Sequence, residues 1–529
     1  MRGHTNVLAE LLYTSARCIL VIVCLWIAFY FASAFYNVFF HPLRHIPGPK
    51  LAAASYIPEF YWDVLQGGMY QKRILLMHEK YGPVVRISPN EVHCNDWRFI
   101  DEIYASGSRK RDKPLHQVRG SGGIVDATFS TTSHDLHRMR RNALNKFFSR
   151  AQVARLEPTV RENAERICDK ILILGKSAPF DVTTAYSHFT TDVISGYCLG
   201  DSLGLIEQKG WEPNFREPLY AQLKLMYWLR FIPLFKRLSV ATAMITRRFS
   251  KDMNTLFNAL VGDMPRYVRR AQDNVIKGLD DGSSVFGALL TSDLPPSEKS
   301  LERLTDEGFS LFAAGTETVS WALSVITYHL FANRELLEKV TKEVTQVIDA
   351  KSGQLPSWHT LEKLPYLGGV IYEGLRLSYG VASRSSRIPV GEDLVYRGVW
   401  APKGSNTMRE FQYVIPRGYA IGMSPLSIHH DETVFPNSHS FIPERWIDDN
   451  NQHRKELDRA LLSFSKGSRS CLGINLAYCE LYVLLSLLIV RVFPHMKLHE
   501  TTEVDVTHDH DFFNPFPVSS SKGVRAIVV

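Results

Sequence analysis

The chain has 529 residues, 45% of them hydrophobic and 22% charged, with a formal net charge of +7 at pH 7. That length suits one large domain with a tail, or two to three average domains, and the apolar content can fill a large core. The basic residues are interleaved with acids, which argues against a dedicated nucleic-acid groove. The densest spots, Arg109-Lys110-Arg111 and Arg138-Met139-Arg140-Arg141, better suit docking of an acidic protein partner.

Seven cysteines, Cys18, Cys24, Cys94, Cys168, Cys198, Cys471 and Cys479, are widely spaced and include no Cys-x-x-Cys pair. An odd, scattered set is neither a disulfide scaffold nor a zinc site, and it points to a reducing compartment. No Asn-x-Ser/Thr acceptor occurs, in keeping with a domain that stays outside the secretory lumen.

Residues 1–17 form a short flank. From Cys18 to Phe40 the chain runs 23 residues without a charge, long enough to cross a hydrocarbon core with some tilt. Tyr36, Phe39 and Phe40 crowd its downstream end as an interfacial belt does. The run is too long for the apolar part of an ordinary cleaved signal, so residues 18–40 are expected to stay as a single anchor. Flanking charges nearly cancel and leave its orientation open. Residues 41–50 carry three prolines within eight positions, Pro42, Pro47 and Pro49, and predict a stiff non-helical hinge before a domain over 51–529.

Gly82-Pro83-Val84-Val85-Arg86-Ile87-Ser88 and Glu91-Val92-His93-Cys94 read as two short strands around Pro89-Asn90. Asp135 to Ser149 has a helical pattern, with Leu136, Met139, Ala143, Leu144 and Phe147 on one face. His137 and Arg141, four apart, share another face, with Arg138 and Arg140 expected on a solvated one. Residues 151–300 are mostly helical by pattern, with breaks expected at Gly204, Gly210, Pro213, Pro218, Pro233 and Asp280-Asp281-Gly282. Leu223 to Phe235 fits either an apolar mouth on the membrane or plain core.

A long helix without an evident cap is expected from about 300 to 330, with Leu301, Leu304, Gly308, Leu311, Gly315, Val319, Ala322, Ile326 and Leu330 along one face. Inside it, Ala313-Ala314-Gly315-Thr316-Glu317-Thr318 weakens the helix, a cost that suggests a functional distortion. Thr318 can donate to the carbonyl of Ala314 and open a groove. Glu373 and Arg376, three apart in a helical run from Gly369 to Leu377, can pair. Val381 to Val390 is expected as a strand. His429-His430-Asp431 and His508-Asp509-His510-Asp511 lack the spacing of a metal site and read as polar loops.

Phe464-Ser465-Lys466-Gly467-Ser468-Arg469-Ser470-Cys471-Leu472-Gly473 then runs into a helix-forming stretch. A thiol at the first turn of a helix meets free N–H groups and the positive dipole end, which favours thiolate. Gly467 permits a tight backbone, Gly473 lets a flat object approach, and Arg469 supplies a cation beside the thiolate. The stretch resembles the haem-binding signature of the cytochrome P450 family, Phe-x-x-Gly-x-Arg-x-Cys-x-Gly, at all its fixed positions. Ala314, Gly315, Glu317 and Thr318 are similar to that family's oxygen-activation motif. Val319 departs from its last hydroxyl position, and Ser320 stands next to it.

The resemblance implies the mainly α P450 fold with a small β portion, preceded by a single transmembrane helix, and haem b ligated through iron by Cys471. It implies haem contacts from Arg469, Phe464, Gly467, Gly473, Ala314 and Gly315, and propionate contacts from Arg141, His137 (in place of the family's tryptophan) and Arg387, with Arg384 as its rival. Glu373, Arg376 and Arg445 of Pro443-Glu444-Arg445 would form a buried network, while Val381, Ala382, Phe512 and Phe513 would border the substrate. The implied activity is a monooxygenase in which Thr318, helped by Glu317, delivers protons while one atom of dioxygen enters a small lipophilic substrate. Electrons would come from NADPH–cytochrome P450 reductase, with cytochrome b5 as a further donor, docking near Arg138 and Lys466. The family's eukaryotic members place the domain on the cytosolic face of the endoplasmic reticulum. Filamentous-fungal, trichodiene-oxygenase-like texture implies a terpenoid or polyketide intermediate of secondary metabolism. A non-oxygenating or peroxide-driven isomerase or dehydratase on the same fold, and a tethered haem-binding module without turnover, are the competing readings. Labelled dioxygen and reductant-dependent turnover separate them.

Overall fold

The computed structural model describes residues 2–121, 124–200, 202–232, 244–245, 247–249, 254, 257–279, 284–348, 353–401 and 407–529. No described strand exceeds seven residues, whereas the central helix, Leu301–Ala332, has 32. Helix packing therefore sets the architecture. Among the described residues, three helices are long and apolar enough to cross a membrane: Tyr13–Phe39, Leu301–Ala332 and Ile474–His495. The second and third bury 61% and 78% of their apolar windows inside the protein, and the first buries none. Only the first is left to meet lipid. It is the end of a helix that begins at Arg2, well before the expected start at Cys18.

The segment after it is partly helical, contrary to expectation. His41 Nδ1 accepts from Leu43 N and starts a single 3-10 turn, Pro42–His45. The Pro47 carbonyl then accepts from Arg86 N at 2.8 Å. A Cβ at Gly48 would lie 2.3 Å from the Arg86 carbonyl, so only glycine lets the segment lie this close to the first strand. That strand, Val84–Ser88, pairs antiparallel with Glu91–Cys94, which pairs in parallel with Ala420–Gly422.

The central helix is capped after all: Ser300 Oγ accepts from Arg303 N at 3.3 Å. It packs along Val182–Leu199, a helix buried over nearly its whole length, started by Asp181 accepting from Thr184 N and stopped at left-handed Gly200. Glycine sets two close crossings on the central helix. A Cβ at Gly315 would meet Ile194 at 2.6 Å, and one at Gly374, on helix Pro365–Ser378, would meet Ile326 at 2.1 Å. Helix Ile474–Leu487, which follows the cysteine loop, packs on Arg150–Leu174.

One expected break is absent. Pro218 falls in the first turn of helix Arg216–Phe231, where no N–H partner is lost, so the helix continues. Pro233 and the 280–282 turn lie outside the described residues. Of the 223–235 stretch, Tyr227 and Leu229 are buried, the Phe60 ring packs edge-on to Trp228 and Phe231, and residues 233–235 lie outside the description. The expected strand over 381–390 shrinks to Ile388–Pro389, paired with Arg111–Asp112, plus one bridge from Arg387 to Ile421. Its first half is engaged by side chains instead.

Candidate active site

The cysteine loop closes on itself, with Cys471 N donating to the Phe464 carbonyl at 2.8 Å. Gly467 sits at φ 71° with its Cα against the carbonyl of Tyr104, where a Cβ would come within 2.0 Å. Any other residue there would push the loop off its bed. The helix begins at Ile474, and Gly473 is its N-cap, so Cys471 stands just before the helix rather than in its first turn. The Gly473 amide and Arg141 draw the thiol pKa down, but burial outweighs both and raises it. The thiolate preference expected from the helix dipole alone is therefore overruled by desolvation. The side chain is nevertheless exposed. Enclosed by protein yet uncovered, the sulfur faces an internal cavity, and a Cβ on Gly473 would meet nothing within 4 Å.

The central helix presents Ala314 and Thr318 to open space, Ala314 exposed and Thr318 half-buried. Thr318 Oγ1 donates to the Ala314 carbonyl at 3.0 Å. The neighbours point elsewhere. Gly315 turns its missing Cβ to Ile194, which packs close there. Glu317 is buried with one oxygen 3.7 Å from Arg216 and the other without a partner. Burial raises its pKa, against the pull of Arg216. Ser320 is fully buried and donates back to Thr316 and Glu317 carbonyls, so it does not replace the missing hydroxyl of Val319 on the open face.

Cations collect around the cavity. Arg469 donates to the carbonyls of Arg111, Thr131 and Thr132. Arg387 donates to Ser385 and the Ser386 carbonyl, and Arg141 to the Ser470 carbonyl. Among the described residues none of these three, nor Lys113, makes an ion pair. All four push on His137, whose pKa burial and then Arg469, Arg141, Lys113 and Arg387 lower to about 2. Burial also lowers Arg469, to about 9. Desolvated cations without a counter-charge favour an anion among them. The two carboxylates of a haem edge fit that need. Lys113 was missed from the sequence because it stands in a loop with no periodic pattern to mark it. Arg384, the rival of Arg387, is engaged elsewhere: it pairs with Glu59 and, at 3.1 Å, with Glu91.

Beneath the cysteine loop, Glu373 and Arg376 form a fully buried double hydrogen bond at 2.8 and 3.0 Å, and Arg445 Nε reaches Glu373 at 3.1 Å. Two members went unforeseen. Trp446 Nε1 donates to Glu373 at 2.8 Å, and His429 joins through the Arg376 carbonyl and the Leu462 amide. His429 is thus a buried, neutral connector rather than part of a solvated loop. His430 is likewise bonded, to Tyr379, and His508 and Asp511 are buried. Arg140, expected on a solvated face, is buried in a double bond with Glu298. Lys466 donates to the Asp458 carbonyl, and Arg138 stays exposed.

The substrate candidates divide. Ala382 N and Ser383 N both donate to the Phe513 carbonyl, joining the two segments. Ala382 is fully buried, so it supports the wall instead of lining it, whereas Val381 is half-exposed. Phe513 turns its ring to Phe129, and Phe512 turns the opposite way, to Tyr227 and Phe516. Phe512 ends the strand His510–Phe512, whereas Phe513 stands at φ 74° in the hairpin turn before Asn514–Phe516, and that change of backbone separates the two rings.

The family model for "Cytochrome P450" matches residues 59–517, the greater part of the chain, and spans every element of this site. The chain belongs to the cytochrome P450 family. It is 41% identical over 451 residues to cytochrome P450 monooxygenase ppzE of Metarhizium majus, covering 83% of this chain and 93% of that one. It is 35% identical to tryptophan 6-hydroxylase fscE of Fusarium equiseti and 34% to N-acetyltryptophan 6-hydroxylase ivoC of Emericella nidulans, each covering 96% of both chains. The protein is a P450 monooxygenase, and its cofactor is haem-thiolate iron.

Proposed function

We propose that this P450 inserts one oxygen atom into a lipophilic intermediate of secondary metabolism, a terpenoid or polyketide, with electrons from NADPH–cytochrome P450 reductase, supplemented by cytochrome b5. The observation that carries the site is the pairing of an uncovered Cys471 sulfur with an uncompensated ring of Arg141, Arg387, Arg469 and Lys113. Haem held there supplies dioxygen activation and insertion into a C–H or C=C bond. Cys471 would ligate the iron, and the four cations with His137 would hold the propionates. Phe464 and Gly467 shape the cysteine loop. Ala314 leaves open space beside Thr318, whose hydroxyl would hold a proton there. The unpartnered oxygen of Glu317 takes up and passes on a proton from the Arg216 side. Val381 and Phe513 border the substrate.

Residues 18–40 anchor the protein once in the endoplasmic reticulum membrane, with residues 41–50 as hinge and 51–529 as a cytosolic catalytic domain. The reductase docks over the cysteine loop near Arg138. A second substrate reading, an indole-bearing amino-acid derivative, follows from the activities for which the two tryptophan-type relatives are named. The Phe129–Phe513 pair, edge to face with centroids 5.6 Å apart, favours it as an aromatic surface for such a ring to pack against. Metabolites of a deletion strain identify the substrate, and labelled dioxygen with purified protein and reductase tests the chemistry. A product without label would overturn the monooxygenase assignment for that substrate.

A further inference from the structure

A second buried charge cluster lies apart from the haem site. Glu59, Asp63, Glu91 and Asp511 are at most 5% exposed and come from three separate parts of the chain. Arg384 and Arg230 serve them, with His116 on Glu59. Arg230 reaches Glu59 at 3.0 Å and Asp63 at 3.5 Å. It lies near the end of helix Arg216–Phe231, three residues after Tyr227, whose hydroxyl meets Ser383 Oγ at 3.1 Å. Ser383 in turn donates to Asp511 at 2.6 Å. The other end of the helix is tied by Arg216 to Asp181 at 3.2 Å and to Glu317 at 3.7 Å. Just before the helix Phe215 packs on Phe312 of the central helix, and between the ties Tyr220 packs on Phe516. The helix thus bridges the oxygen-facing helix and the C-terminal hairpin beside Phe513.

We propose that Arg230, assisted by Tyr227, is a positioning residue that clamps this helix over the substrate chamber, and that the Arg230 end is the one that releases to admit substrate. The two ends differ in what release would strand. Among the described residues Arg216 is the sole guanidinium paired with Asp181 and Glu317; Asp181 keeps the Thr184 amide and some solvent, but freeing Arg216 leaves the buried Glu317 without a counter-charge. Glu59 and Asp63 are shared with Arg384, which stays behind when Arg230 leaves. Breaking a buried pair is costly mainly through the charge left unpaired, so the Arg230 end moves more readily.

Protonation eases that step further. Asp63 faces Glu59 in its own segment, Arg230 and Tyr227 on the helix, Arg384, Asp511 and the Tyr70 amide. Burial, with Glu59 and Asp511 adding to it, raises its pKa to about 7 despite both arginines. Above that pH the carboxylate holds Arg230, and below it the attraction fades. Release is therefore favoured as the pH falls.

The test uses the full-length holoenzyme in detergent and two haem-ligating probes, bulky 4-phenylimidazole and small carbon monoxide, followed by Soret shifts in stopped flow. Arg230→Gln should speed entry and departure of 4-phenylimidazole at least about tenfold and leave carbon monoxide binding unchanged. Arg230→Lys should recover most of the wild-type rate. Tyr227→Phe, which keeps the ring and the fold, should give a smaller rise of about two- to threefold. Wild-type exchange should accelerate as the pH falls from about 8 to 6, and Asp63→Asn should flatten that profile. Equal acceleration of both probes would mean general loosening and overturn the clamp. Unchanged 4-phenylimidazole rates in both Arg230→Gln and Tyr227→Phe, or a flat wild-type pH profile, would overturn it too.

Discussion

Thr318 Oγ1 donates to the carbonyl of Ala314 at 3.0 Å, one turn back on a helix that stays continuous, at the positions the helix leaves open. The hydroxyl thereby does two things: it holds the groove, and it stays within reach of whatever binds above it. Thr318→Ala removes both without touching Cys471 or Glu373. Product formation should fall by about 10²–10⁴-fold, while NADPH consumption falls much less and hydrogen peroxide rises. Ser320→Ala is the control. Because Ser320 is buried against its own helix, its coupling ratio should match the wild type. Uncoupling by Ser320→Ala alone would reverse the assignment.

Cys471→Ala should abolish the red-shifted Soret band of the reduced carbon-monoxide complex. Cys479→Ala, at a cysteine fully buried within the following helix, should keep it. Persistence of the band in Cys471→Ala would move the ligand elsewhere.

Arg387 and Arg384 make a paired prediction, since one is free of carboxylates and the other is bound by them. Arg387→Ala and Lys113→Ala should each weaken haem retention, measured as the rate of haem transfer to apomyoglobin. Arg384→Ala should instead lower thermal stability, because it strands Glu91 in the interior and takes from Glu59 one of its two guanidinium partners. Faster haem loss from Arg384→Ala than from Arg387→Ala would exchange their roles.

Glu373→Gln keeps the shape of the buried network and removes its only carboxylate, leaving Arg376 and Arg445 uncompensated. A loss of about 3–5 kcal/mol is expected, seen as little or no haem-loaded protein. Trp446→Phe deletes one hydrogen bond to Glu373 and should cost about 1–3 kcal/mol. Equal thermal midpoints for wild type and Trp446→Phe would show that the indole bond carries no stability.

Acid should destabilise the fold before carboxylates titrate. Burial lowers the pKa of His78, His329 and His508 to about 4, and that of His188 and His430 to about 3. The unfolded chain binds protons at these positions below about pH 6.5, and the folded one refuses them, so stability falls as the pH drops through that value. Each histidine contributes up to about 1.4 kcal/mol per pH unit. His188→Gln should make the slope of unfolding midpoint against pH shallower between about pH 6 and 4. A slope identical to wild type would show that His188 titrates in the folded state.

The local chemistry of this protein was written in short sequence intervals. The fixed residues around Cys471, the Ala314–Thr318 step and the Glu373–Arg376 step each depend on a spacing that a loop or helix converts directly into geometry. The apolar run before Phe40 and the long face from Leu301 to Leu330 were legible for the same reason, since length and period are properties of one segment. Partnerships between segments were not. Nothing in the order of residues showed that Arg384 is taken by Glu59 while Arg387, three positions on, is left for an anion, or that Arg140 turns inward to Glu298. His429 and Trp446 carry no periodic signal, yet they complete the network around Glu373. Gly315 was legible as a motif position, but that Ile194, far away in the chain, packs where its Cβ would stand was not. Burial explains these differences. A charge or polar group removed from water takes whichever counter-charge the packed fold brings to it, and that choice exists only once distant elements have met.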